Sequence, residues 1–309
     1  MTFDSLFRLK STERIRKVVI VGNGAIQGGN EKVAEAIQSY KSQDAVIHAQ
    51  LDYGTALAFY AANIRTIKNV LIQRLLQNDK QYNIDIAEYR KSLCDAEIIR
   101  EKLATAFSIK TGHGIELRPE ISRYVPDLDG DAVGVITINW DELLWQEIGL
   151  NLVQLHGRTS IPNSIILPME QIQDAFISDI VKCTQLSAET QKDVEMILRG
   201  EIQYHLRDAE RQAFLWMHSA DELVVYGVSM NPYDAELFQL MRQWNNFAPK
   251  DHNARRKNEH PNLTIINPDP LHVQRTALFL CAQEYRWIDP LSGAIREVRH
   301  VGRVNARTN

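Results

Sequence analysis

Cysteine is scarce in this sequence, and its scarcity excludes two kinds of structure. The chain of 309 residues has three cysteines, Cys94, Cys183 and Cys281, which are far apart and odd in number. Because no Cys-x-x-Cys pair exists, neither a disulfide framework nor a four-cysteine zinc site is available. The spacings of the histidines and acidic residues are not typical of a metal site either, so we expect no bound metal.

The chain also lacks a strong charge of either sign and a long apolar run near its start. Its formal net charge is -4, and no stretch interleaves basic with aromatic residues, so direct nucleic-acid binding is not expected. The one basic run, Arg255–Lys257, is typical of a solvated loop. Residues 1–17 are charged, which predicts neither a signal peptide nor a membrane span. We therefore expect a cytoplasmic protein.

Short apolar runs alternate with helical patterns along much of the chain. This alternation predicts an α/β protein with a doubly wound, largely parallel, Rossmann-like sheet. The first run ends in the glycine-rich segment Gly22–Gly29 and a helical pattern follows, which is the usual opening of a nucleotide-binding unit. The strand-like runs are Lys17–Val21, Val133–Ile138, Leu152–Leu155, Leu223–Gly227 and Leu263–Asn267.

A different pattern fills residues 42–123. Thr55–Ala62, Val70–Leu76 and Ile98–Phe107 each have helical spacing. We interpret 42–123 as a mostly helical insertion into a Rossmann-like domain formed by 1–41 and 124–309. The turn-rich stretch Pro126–Asp131 marks its end, and a further long helical pattern covers Glu189–His218.

Polar side chains follow two of the predicted strands. Asn139 and Asp141 come directly after one, and His156 follows the next, 17 residues after Asn139. Because the carboxyl ends of parallel strands meet at one edge, we expect a ligand site there. An imidazole near its ordinary pKa of roughly 6.5 can act as a general base. The alternatives are a local turn bond for Asn139, a helix cap for Asp141 and an imidazole bonded within the sheet edge.

Taken in order, the strand ends resemble the sirtuin superfamily. They are most similar to its divergent prokaryotic sirtuin-like branch, which is associated with NAD consumption in antiphage defence. The motifs that carry the resemblance are Gly22-Asn23-Gly24-Ala25, Thr137-Ile138-Asn139-Trp140-Asp141, Leu155-His156-Gly157, Tyr226-Gly227-Val228-Ser229 and Asn267-Pro268.

The resemblance implies hydrolysis of the nicotinamide–ribose bond of NAD. Asn139 would orient the ribose and the attacking water, and His156 would be the general base. Thr137 and Asp141 would lie on the nicotinamide side. The remaining residues that the resemblance places against the phosphates and riboses are Gly22, Asn23, Gly24, Ala25, Gly227, Ser229 and Asn267.

Two departures from the family keep alternatives open. Gln27–Asn30 stands where sirtuins carry Gly-Ile-Pro-Asp-Phe-Arg, and the paired zinc cysteines of the deacylases are missing. A protein deacylase is therefore disfavoured. A degenerate domain that binds NAD or a related nucleotide as a sensor, or a subunit active only in a complex, stays possible. The resemblance further implies a homo-oligomer or a separate sensor protein as partner, and it does not separate NAD from NADP.

Overall fold

The computed structural model describes residues 7–8, 15–38, 53–77, 82–107, 114–121, 132–147, 151–167, 204–230, 234–247 and 262–299. Four features of the sequence lie outside these residues: the turn-rich stretch Pro126–Asp131, Cys183, the basic run Arg255–Lys257 and the part of the predicted long helix before Tyr204.

The described strands and helices alternate along the second half of the chain. The strands are β1 Phe7–Arg8, β2 Lys17–Val21, β3 Ile26–Gln27, β4 Glu116–Leu117, β5 Val133–Thr137, β6 Leu152–Gln154, β7 Glu222–Tyr226, β8 Leu263–Ile266, β9 Glu284–Ile288 and β10 Ile295–Arg299. The helices are α1 Gly29–Gln38, α2 Tyr53–Leu76, α3 Tyr82–Ala106, α4 Leu143–Glu147, α5 Tyr204–Ser219, α6 Ala235–Phe247 and α7 Pro270–Phe279.

Eight of these strands form the main sheet, in the order β1-β6-β5-β2-β7-β8-β9-β10. The six inner strands are parallel, and only the outer strands β1 and β10 pair antiparallel. Numbered along the chain, the parallel strands have the order 3-2-1-4-5-6, which is that of the Rossmann fold. The predicted fold class is confirmed. The strand order reverses between β2 and β7, where such sheets bind their ligands.

Both faces of the sheet are covered by apolar side chains. Val18 and Ile20 belong to the core that the sheet shares with α5, α6 and α7. Val19 and Val21 lie on the opposite face, with Leu144 of α4. This two-sided burial explains why β2 is a continuous apolar run rather than an alternating one.

The parallel strands are in register at their carboxyl ends. Thr137 pairs with Gln154 on one side and with Val21 on the other, Val21 pairs with Tyr226, and Tyr226 pairs with Ile266. The loops that follow all five strands therefore start from one level at the same edge. Every site residue that the sequence predicts lies on this row or within four residues beyond it.

The described part of the predicted insertion is mostly helical. The two helical runs predicted at Thr55–Ala62 and Val70–Leu76 are one continuous helix, α2, because no proline or glycine separates them. The strand β4 also lies within 42–123 and pairs with β3, next to the glycine turn. Among the described helices, none is long and apolar enough to cross a membrane.

Candidate active site at the carboxyl edge of the sheet

The glycine turn after β2 packs directly against the loop after β7. Gly22 donates its N–H to the carbonyl oxygen of Tyr226 at 2.9 Å, and Gly24 donates to that of Gly227 at 2.9 Å. A Cβ on Gly24 would lie 2.6 Å from the Cα of Gly227, whose own φ is +63°. The missing Cβ of Gly24 thus allows close packing against Gly227, and the N–H groups of Gly22 and Gly24, which the resemblance places against the phosphates, both form hydrogen bonds within the protein.

The middle of this turn is open to solvent, and an arginine from a distant segment reaches it. The side chain of Asn23 is exposed, whereas Ala25 is buried. Arg118, directly after β4, donates its backbone N–H to the carbonyl of Ala25 at 2.9 Å. Its Nε donates to the carbonyl of Gly24 at 3.0 Å. The sequence alone does not predict this cation at the site, because only the pairing of β3 with β4 brings Arg118 to the glycine turn.

Asn139 is buried and bridges two strands. Its backbone N–H donates to the hydroxyl of Thr137 at 3.1 Å, and that hydroxyl donates to the carbonyl of Val21 at 2.9 Å. The side-chain Nδ2 lies 3.4 Å from the carbonyl oxygen of Gly22, while Oδ1 has no hydrogen-bond partner. The side chain therefore does not make the local turn bond of the alternative interpretation. A buried acceptor without a donor is costly unless a ligand or water supplies one.

Asp141 combines a structural bond with an unpaired oxygen. Its Oδ1 accepts the N–H of Leu143 at 3.0 Å, so the alternative that it caps the following helix is correct for one oxygen. Its Oδ2 is buried and has no partner. Burial raises the pKa of this carboxyl from 3.8 to about 6, against the opposing effect of the Leu143 bond. A carboxyl that titrates near neutral pH at a sheet edge is typical of a functional site.

His156 lies at the end of β6, at the level of Asn139. Both follow the register pair Thr137–Gln154 by two residues. The imidazole is 4% exposed, and burial lowers its pKa to about 4. None of the described residues forms a hydrogen bond with the imidazole ring. The backbone carbonyl of His156 accepts the N–H of Ile166 at 3.0 Å. The pKa near 6.5 expected from the sequence is therefore wrong, and at neutral pH the ring is a neutral acceptor.

Gln154, the last residue of β6, fixes the loop that carries Asn139. The side chain is fully buried, and its Nε2 donates to the carbonyl oxygens of Asn139 at 3.2 Å and Asp141 at 2.8 Å. No sequence pattern predicts this role, because Gln154 looks like an ordinary strand residue.

Helix α3 of the predicted insertion also holds these loops. Trp140, between the two polar residues, donates its Nε1 to the carbonyl of Ile166 at 3.0 Å. Its ring meets that of Phe107 edge to face at 6.3 Å. Arg100 of α3 donates from Nε to the carbonyl of Ile165 at 2.8 Å. The loops after β5 and β6 are thus packed under one helix.

The predicted residues on the other half of the edge are bound to the protein itself. Asn267 accepts the N–H of Asp269 on Oδ1 at 2.9 Å and donates from Nδ2 to the carbonyl of Val228 at 3.3 Å. The bond to Asp269 is a local turn bond, so Asn267 stabilises its own loop. Ser229 is partly buried beside Gly227 in the loop after β7.

No group of three or more His, Cys, Asp or Glu side chains that could hold a metal ion occurs in the described ranges. Comparison with known proteins adds no family: no family model matches the chain, and no curated protein gives a significant match. Any function must therefore be argued from the residues at the sheet edge.

Proposed function

We propose that this protein is an NAD hydrolase that cleaves the bond between nicotinamide and ribose. The observation that carries the proposal is the pairing of two groups at one level of the sheet edge. Asn139 presents a buried amide oxygen without a partner, and His156 presents a neutral imidazole with no protein hydrogen bond among the described residues. An acceptor for a ribose hydroxyl or a water and an acceptor for a proton are the groups that this hydrolysis requires.

The reaction needs only a weak base. The C–N bond between ribose and nicotinamide breaks, and its electron pair neutralises the positively charged nicotinamide ring. Water adds to the electron-deficient ribose carbon, a C–O bond forms, and the water proton passes to His156. Because glycosidic cleavage proceeds through an oxocarbenium-like state, water is acidified as it adds. A neutral imidazole with a pKa near 4 can then accept its proton.

Asn139 supplies orientation in this scheme. Its Nδ2 is directed at the carbonyl of Gly22, which leaves Oδ1 for the water or a ribose hydroxyl. Asp141 Oδ2 is a second buried acceptor, suited to the carboxamide N–H groups of nicotinamide. Thr137 fixes the start of this loop on β2.

Arg118 is the group best suited to the phosphates. The Nε bond to Gly24 anchors the guanidinium on the glycine turn, and the side chain is partly exposed. The first turn of α1 follows at Gly29, and its N–H groups attract anions. Since Gly22 and Gly24 donate elsewhere, Arg118 takes the place that the family gives to the glycine turn.

The second candidate function is binding without turnover, as a sensor of NAD or a related nucleotide. It is favoured by Gln27–Asn30, which stand in place of the family segment. As a hydrolase, the protein would act in the cytoplasm as an antiphage effector. Because uncontrolled loss of NAD is toxic, a self-assembled oligomer or a separate sensor protein would restrain it.

The test is nicotinamide release from NAD by the purified protein beside two matched variants. His156→Ala removes the proposed base, and His218→Ala removes an exposed histidine at the end of α5. We expect release by the wild type and by His218→Ala, and loss of about a hundredfold or more for His156→Ala.

Each other outcome has a defined meaning. Equal release by all three proteins would contradict the assignment of His156. If none releases nicotinamide, calorimetry with NAD decides between the sensor, which binds, and a chain whose edge has another ligand, which does not.

A further inference from the structure

The side chain of Gln154 has a hydrogen-bonding arrangement that a strand residue does not need for the sheet itself. It is 0% exposed, and both hydrogens of its amide are directed at the carbonyls of Asn139 and Asp141, at 3.2 and 2.8 Å. Turning the amide over would place its oxygen against two acceptors, so the orientation is determined by the partners. Gln154 therefore clamps the backbone on both sides of Trp140.

This clamp acts on the residue that the proposed reaction depends on most. Other bonds hold the same loop: the Thr137 hydroxyl accepts the backbone N–H of Asn139 at 3.1 Å, and the carbonyl of Trp140 accepts the N–H of Thr159 at 3.0 Å. The ring of Trp140 donates to the carbonyl of Ile166 at 3.0 Å. The side-chain bond from Asn139 to Gly22 is long, at 3.4 Å, and does not fix the amide by itself. The Gln154 bonds are the ones that hold the carbonyls of Asn139 and Asp141, and through the backbone of Asn139 they help to set where its Oδ1 points.

We infer that Gln154 is a positioning residue, which holds the amide of Asn139 in the orientation that the reaction uses. The inference rests on the proposed function, and it deepens that function by naming the residue that pre-organises the site. Misplacement of a reacting group by about 1 Å can lower a rate by about a hundredfold. A side chain that never touches the substrate can therefore control kcat while KM is little changed.

Two substitutions separate positioning from simple packing. Gln154→Met keeps the length of the side chain and removes both donors. Gln154→Glu keeps the shape and replaces the donors by a carboxyl group, which can donate one bond only while it is protonated. Two acceptor carbonyls and burial both favour the protonated form, so its activity should recover as the pH is lowered. Asp141 and His156 lie nearby and also titrate, but both are present in Gln154→Glu and in the wild type. The activity of the variant is therefore expressed as a ratio to that of the wild type at each pH.

The matched control is Thr276→Val in α7. The hydroxyl of Thr276 is also buried and donates to a backbone carbonyl, that of His272, at 2.9 Å. Its loss removes one buried hydrogen bond without touching the loop of Asn139. It shows what a purely structural loss does to turnover.

The experiment combines turnover of NAD with hydrogen–deuterium exchange of residues 137–143. We expect Gln154→Met to lower kcat about tenfold to a hundredfold with a KM close to wild type, and to speed exchange in 137–143. The ratio for Gln154→Glu should rise toward one as the pH falls from 8 to about 5. Thr276→Val should change neither.

Unchanged kcat in Gln154→Met, or unchanged exchange in 137–143, would overturn the inference. If Gln154→Met does not fold, a flat pH ratio for Gln154→Glu would overturn it instead. If the wild type itself releases no nicotinamide, the proposed hydrolase fails. The exchange arm then still decides whether Gln154 orders the loop of Asn139.

Discussion

The side-chain nitrogen of Asn139 lies 3.4 Å from the carbonyl oxygen of Gly22, across the boundary between the loop after β5 and the turn after β2. This contact joins the candidate catalytic amide to the glycine turn at the point where the strand order reverses. It requires Gly22 to stay in place, and a Cβ there would lie 2.7 Å from the carbonyl oxygen of Gly227. The geometry of the site and the glycines of the switch point are therefore coupled.

Gly227→Ala should destabilise the protein, whereas Gly29→Ala should not. Gly227 has a φ of +63°, and a Cβ there would lie 2.6 Å from the backbone carbon of Gly24. We expect a loss of roughly 1–3 kcal/mol in the free energy of unfolding. At Gly29, the first residue of α1, the nearest atom is 3.7 Å away, so alanine should be neutral or stabilising by about 0.4–1 kcal/mol. Denaturant unfolding of both variants measures the difference, and similar values would show that Gly227 is not constrained.

His156 should titrate far below an ordinary histidine. Burial disfavours the charged ring, so we expect its pKa to be about 4. The contribution of the neutral imidazole to the free energy of unfolding is fully present above pH 6.5, and it is lost as the pH falls toward 4. NMR titration of the imidazole resonance that disappears in His156→Ala gives the value directly. A midpoint near 6.5 would mean that the ring is solvated and would remove the argument for a neutral, buried base.

Asp141→Asn should stabilise the protein at neutral pH. Burial raises the pKa of this carboxyl in the folded state from 3.8 to about 6. Stability is therefore lost as the pH rises from about 4 through 6, where the folded protein must hold a buried charge. Asparagine keeps the cap on Leu143 without the charge. We expect a gain of about 1–3 kcal/mol at pH 8 that vanishes below pH 4. If the variant and the wild type differ in unfolding free energy by the same amount at every pH, the buried charge of Asp141 is not the cause of the difference.

The sheet could be predicted from the sequence because parallel strands buried on both faces are continuous apolar runs. β2, β5 and β7 were found in this way, and each begins or ends within a residue or two of its predicted bounds. The two-residue strands β1, β3 and β4 escaped prediction, since two residues carry no periodicity. Their pairing depends on the approach of distant segments. β9 and β10 are not among the predicted apolar runs, because charged residues interrupt them.

The site was predicted only in part. The position of Asn139 and His156 at one edge of the sheet could be predicted because each follows a strand of the parallel sheet. The pKa of His156 could not be predicted, because the burial that lowers it depends on how the rest of the chain packs around the ring. The roles of Gln154 and Arg118 could not be predicted either. Gln154 looks like a strand residue, and Arg118 is brought to the site by the pairing of β4 with β3. The resemblance places Asn267 against the ligand, but its amide oxygen accepts a local turn bond from Asp269.

Arg118→Ala should weaken substrate binding more than catalysis. The guanidinium is anchored on Gly24 at 3.0 Å and is suited to a phosphate. We expect KM for NAD to rise about tenfold or more, with kcat within about threefold. Arg118→Lys should recover part of the affinity, since it keeps the charge and loses the planar fork. Steady-state kinetics on both variants distinguish this role from a structural one, in which kcat and stability would fall together with no benefit from lysine.

The most direct test of the account is the rate of nicotinamide release from NAD by the wild type and by Asn139→Ala, each checked for folding by thermal unfolding. Asn139 contributes the buried, unpaired oxygen on which the proposed reaction depends. We expect release of nicotinamide and ADP-ribose in equal amounts by the wild type, and a rate about a hundredfold to a thousandfold lower in the folded variant. Equal rates in the two proteins would contradict the site, and no release by the wild type would contradict the proposed hydrolase.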